Sequence, residues 1–131
     1  SGLVMGDVGL LHGHTAPSKR LESCKTLVCA HNHSRMAFMT PHGSGPTEAC
    51  WLRIPYKTGK EAKELIVVPA FNPNLGGSPV NIEGEGLLGP VLNDPALDMD
   101  NALVYLLDGA SLGRLRDLKV PGRKYRKRKV L

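Results

Sequence analysis

Glycine and proline interrupt this chain so often that no long helix can run through it: 15 Gly and 10 Pro occupy 25 of its 131 positions. That density excludes a helical bundle and favours short strands joined by turns. Residues 8–11, 26–30, 36–39, 49–54 and 65–68 are compact apolar stretches that read as strands. The run 65–68, rich in β-branched residues, has the character of a central strand. Residues 102–107 and 112–115 flank Asp108-Gly109, a hairpin turn signal. Behind Pro17, with Ser18 as N-cap, residues 18–25 predict a short helix. Residues 41–46 read as a Gly/Pro/Ser loop, 57–64 as a charged hairpin or loop, and 69–90 as an irregular excursion with no functional signal. No internal repeat is visible, so antiparallel pairing of successive strands is the simplest topology. Trp51 is expected in the core, and His42, in its Gly/Pro loop, on the surface.

The chain is 41% hydrophobic, enough for one modest core. No apolar run nears the roughly 20 residues that span a bilayer, and residues 1–11 lack the basic start of a secretory signal. Cys24, Cys29 and Cys50 form no C-x-x-C pair. An odd count without metal spacing fits buried, reduced thiols in a cytoplasmic setting.

Charge divides the chain in two. Residues 1–118 carry 10 Lys/Arg against 12 Asp/Glu, whereas 119–131 carry Lys119, Arg123, Lys124, Arg126, Lys127, Arg128 and Lys129 with no acid. The division makes 1–118 a near-neutral domain and 119–131 a basic arm. Such an arm binds a polyanion or stays solvated. If all seven cations met phosphates, affinity would fall with salt at a logarithmic slope of about −6. Tyr125, inside the run, offers one ring for base stacking. Nucleic acid, and ribosomal RNA in particular, is the expected partner.

Two apolar runs end in paired histidines, His12-Gly13-His14 and His31-Asn32-His33. His31 and His33 are two apart, so in extended chain they share a side. Neutral imidazoles delivered by two strands to one sheet edge suit zinc, manganese or iron. They equally suit strand ends whose rings make loop hydrogen bonds.

The order apolar strand–HGH–Pro-Ser–apolar strand–AHNH resembles the carboxy-terminal half of the calcineurin-like metallophosphoesterases, in particular an archaeal branch related to the SbcD-type repair-nuclease subunit. Residues 65–77 (LIVVPAFNPNLGG), 79–81, 87–90 and 104–109 (VYLLDG) extend the likeness through most of residues 3–116. It stops before the arm. The resemblance implies that His12 and His31 bind one metal ion and His33 a second, with Asn32 a variable position and His14 close by as a catalytic candidate. It implies manganese or zinc as cofactor, and a four-layer α/β/β/α sandwich of which this chain supplies mainly the second sheet. The family's first three motifs, Asp-x-His, Gly-Asp-x-x-Asp and Gly-Asn-His-Asp/Glu, do not occur here. Ala30 also stands where the family has Gly, and Ser34 where Pro is common. Neutral histidines alone cannot balance two divalent cations about 4 Å apart. The expectation is therefore a non-catalytic module held on nucleic acid by its arm. The alternatives are half of an active phosphoesterase needing a companion amino-terminal half, or a mononuclear metal-binding or interaction protein with no nucleic acid.

Overall fold

A computed structural model describes residues 2–72, 76–87 and 89–122. Among them lies a small, mostly sheet domain of nine strands with a few short helical turns. β1 (Leu3–Met5) and β2 (Val8–Leu10) form an antiparallel hairpin. β3 (Thr26–Cys29) lies parallel to β2 on one side and to β6 (Glu61–Val67) on the other. β6 runs antiparallel to the sixteen-residue β5 (Gly43–Thr58). The first half of β5 pairs with β4 (Ser34–Thr40), and β4 pairs in turn with β7 (Ser78–Pro79). The hairpin β8 (Leu103–Leu106) and β9 (Ser111–Arg114) joins the free side of β5.

Antiparallel pairing of neighbours in sequence is thus only half of the topology. The trio β2-β3-β6 is parallel, because the segments between these strands are long enough to return the chain to the same end of the sheet. The segment from β2 to β3 holds one 3₁₀ turn, Lys19–Leu21, in place of the helix expected over 18–25, and Ser18 makes no side-chain cap. Of the expected loop at 41–46, residues 41–42 form the turn and 43–46 are instead the start of β5. Its register against β4 shifts between Ala37 and Met39, leaving room for the extra residue where Pro46 sits. A proline is tolerated at such a bulge because no ladder N–H is needed there. The charged stretch 57–64 is a tight hairpin with Thr58 opposite Glu61. Gly59, at φ 62°, takes the positive-φ position that a two-residue turn requires.

One face of the sheet is the core. Leu52 on β5 registers with Val67 on β6 and Val104 on β8, and all three are fully buried. Leu21, Leu27, Ile54, Leu65, Val91, Leu92 and Leu115 belong to the same cluster, so the helical turns cover this face. Burying a Leu or Val side chain contributes about 1.5–3 kcal/mol. Cys24, Cys29 and Cys50 are buried and unpaired. Burial pushes the Cys29 and Cys50 thiols up to about 12, so both stay protonated at neutral pH.

The other face is open. Leu3, Leu10, Val28, Ile66, Arg53 and Leu103 stand in one row across β1, β2, β3, β6, β5 and β8. Trp51 and Tyr105 form the next pair along. None of these residues belongs to the core clusters. Leu3 is 55% exposed and Trp51 40%. Trp51 is therefore not a core residue: strand alternation places Cys50 and Leu52 inward and Trp51 outward. His42 is exposed, as expected. The Arg53 guanidinium meets the Glu64 carboxylate at 2.6 Å on the open face, an exposed pair worth about 1 kcal/mol or less. Among the described residues, no helix is long and apolar enough to cross a membrane.

Packing continues past the charge-based division at 118. Val120 is buried and bridges to Ile82, with Val120 N–H donating to Asn81 O and Glu83 N–H to Val120 O. Gly122 is buried against the Glu83 carbonyl. The root of the arm is thus part of the sheet region.

Candidate metal centre

The parallel trio sets the geometry of the histidines. Leu11 N–H donates to Val28 O, and Ala30 N–H to His12 O, so the β2–β3 ladder continues to the residues that carry the rings. Both histidine loops then leave the carboxyl ends of adjacent parallel strands, where α/β sheets commonly place ligands. His12 Nε2 and His31 Nδ1 share a hydrogen bond of 3.0 Å across 19 positions of sequence. Their ring centroids are 4.9 Å apart. The His14 ring lies 5.1 Å from that of His12 and 6.1 Å from that of His31. Loss of water, followed by the neighbouring His31, His14 and His33 rings, holds His12 below the ordinary imidazole value of 6.5.

Metal–nitrogen bonds of about 2.05 Å separate two ligand nitrogens by about 2.9 Å at right angles and about 3.3 Å in a tetrahedron. The 3.0 Å between His12 Nε2 and His31 Nδ1 lies inside that span. The spacing of these two nitrogens thus matches that of adjacent ligands of one divalent ion. They are two neutral donors only. Among the described residues, no three His, Cys, Asp or Glu side chains form a complete metal-binding group.

His33 sits differently from the expectation of an extended His31-x-His33. β3 ends at Cys29 and the chain turns, with His33 N–H donating to Ala30 O and His33 at φ 47°. The ring triangle is His12, His14 and His31, and His33 is felt at His12 through its charge. Asn32 is buried, its Nδ2 donating to Ser34 Oγ at 3.0 Å, and so braces the loop from inside.

The segment 69–90 carries more than the sequence suggested. An added Cβ on Gly77 would fall on the His33 carbonyl oxygen. One on Gly89 would lie 2.5 Å from Gly13 O and 3.2 Å from His31 Cδ2. The two glycines press against the two histidine loops, a role that only their lack of a side chain hints at in sequence. A cleft of about 580 Å³ lies elsewhere, between Arg35, Thr47, Phe71, Leu107 and Asp108.

Of the basic arm, Lys119 is described and is exposed. Arg123, Lys124, Tyr125, Arg126, Lys127, Arg128 and Lys129 lie outside the described residues. No protein-family model matches the sequence, and neither a curated protein nor a solved structure matches it.

Proposed function

We propose that this chain is the histidine-bearing half of a metallophosphoesterase-type centre, completed by a companion that brings the missing carboxylates. The observation that carries this reading is the meeting of His12 Nε2 and His31 Nδ1 at 3.0 Å, at the carboxyl ends of adjacent parallel strands. The open face supports it, since its row of half-exposed aliphatic side chains, with Leu3 and Trp51 exposed, favours a partner surface. In the four-layer sandwich that the motifs imply, a second sheet covers such a face. His12 and His31 would hold a manganese or zinc ion, and His33 and His14 stand nearby. A divalent ion bound there supplies charge stabilisation for a phosphoryl group and an activated water. The chain's own residues fix two of its ligands and leave the charge balance to the companion. Unpaired, buried thiols accord with a reducing, cytoplasmic setting.

Manganese or cobalt titrated into the purified chain by calorimetry should bind weakly, and binding should disappear in His12→Ala and His31→Ala. With manganese added, the chain alone should not hydrolyse bis-p-nitrophenyl phosphate. Turnover by the chain alone, abolished by His31→Ala, would reject the half-site reading. Metal binding that survives both substitutions would reject the site.

A second reading rests on the charge split: the arm anchors the domain to nucleic acid, ribosomal RNA being the preferred target. Because residues 119–122 pack into the domain, the informative deletion is 123–131, which removes six cations and keeps Val120 in place. RNA affinity should collapse while the thermal unfolding curve stays unchanged, and in the intact chain the salt slope due to these cations should be about −5. Affinity that survives the deletion rejects the arm as anchor.

A further inference from the structure

We propose that Gly89 is a positioning residue that fixes the His31 ring against His12. Gly89 opens the one-turn helix Gly89–Leu92 at φ 80°. It lies against Gly13, itself at φ 107° and buried between the two histidines of the first loop. A Cβ on Gly13 would stand 3.3 Å from His31 Cβ and 3.6 Å from Cys29 Cβ. Gly13 and Gly89 therefore form a stack of bare backbone beside His31, with no room for a methyl group at Gly89. Asn93 holds the stack in place: its Nδ2 donates to Leu87 O at 2.7 Å and to Gly89 O at 2.8 Å. Gly89 thus reaches across to the loops after β2 and β3 and sets where the His31 imidazole rests. The His12–His31 hydrogen bond depends on that placement.

An internal control separates contact from backbone strain. Gly84 has φ 79°, nearly that of Gly89, but a Cβ there meets nothing within 4 Å. Gly84→Ala and Gly89→Ala both place a side chain at nearly the same positive φ, and only Gly89→Ala collides with Gly13 and crowds His31.

The importance of this position for metal binding rests on the proposal of a metal centre; the ring geometry does not. The test uses the full chain. Histidine ring ¹⁵N–¹H correlation spectra at one fixed pH are compared for the wild type, Gly89→Ala and Gly84→Ala, and cobalt(II) affinity is read from its visible absorption. The His12 and His31 ring signals should move in Gly89→Ala alone, and cobalt affinity should fall tenfold or more there while Gly84→Ala stays within twofold. A folded Gly89→Ala with unmoved ring signals overturns the proposal. If Gly89→Ala does not fold, Asn93→Ala removes the two hydrogen bonds without adding an atom: moved His31 signals support the proposal and unmoved ones overturn it. If the wild type takes up no cobalt, the metal centre falls, and the ring signals still decide the role of Gly89.

Discussion

Asn81→Ala is expected to lower stability by about 4 kcal/mol in urea unfolding and to expose the bond after Lys119 to trypsin. Asn81 is fully buried and acts as a side-chain strand. Its Oδ1 accepts from Ala37 N–H at 2.8 Å, while its Nδ2 donates to Ala37 O at 2.9 Å and to Leu118 O at 2.7 Å. The methyl side chain strands the buried Ala37 N–H and C=O away from water, at roughly 1–3 kcal/mol each before relaxation, and removes the donor to the part-buried Leu118 carbonyl. Asn81→Asp sharpens the test. The shape is kept, but a carboxylate oxygen then faces two carbonyls that need a donor. Asp should therefore cost at least as much as Ala, and a well-tolerated Asp would show that shape, not hydrogen bonding, holds this position. Since Val120 N–H donates to Asn81 O at 2.8 Å, loosening residue 81 also frees the root of the arm.

The second large effect is expected at Gly77. A methyl group there cannot coexist with the His33 carbonyl oxygen, and it also presses within 3.0 Å of the Arg35 side chain. Backbone must move, so Gly77→Ala should cost about 3 kcal/mol through overpacking. The movement parts Ser78 N–H from His33 O, now 3.3 Å apart, and weakens the β4–β7 pairing. Thermal unfolding gives the size of the loss, and amide exchange gives its place. Faster exchange at Ser78 and Val80, with the β5–β6 amides unchanged, is the expected pattern. A melting curve that matches the wild type would show that 76–79 can shift freely. Neighbouring Gly76 is the control, because a Cβ there meets nothing within 4 Å.

What could be read from the sequence was local. The apolar runs at 8–11, 26–30 and 65–68 all lie in or overlap strands, and Asp108-Gly109 does turn β8 into β9, with Asp108 Oδ1 accepting from Ala110 N–H at 2.9 Å. The misses were matters of partnership. Parallel pairing of β2, β3 and β6 joins segments tens of residues apart, and no turn signal marks it. Trp51 was misplaced because hydrophobicity does not reveal which side of a strand a residue takes until the register is known. Asn81 and Gly89 lie in a stretch with neither helical nor strand periodicity, so nothing local set them apart. The histidine motifs were visible. Their geometry was not: the turn at Ala30–His33 replaces the extended chain in which His31 and His33 would share a side, and it leaves His31 beside His12.

The parallel ladder between β2 and β3 has a consequence for cooperativity. The two rings meet only when both strands and the connection between them are in place, and β3 in turn leans on β6. A peptide carrying either histidine motif, or even both, lacks the scaffold that brings the nitrogens together. The imidazole pair is thus a collective property of the whole sheet, lost in the same all-or-none step that dissolves the core rather than by fraying at an edge.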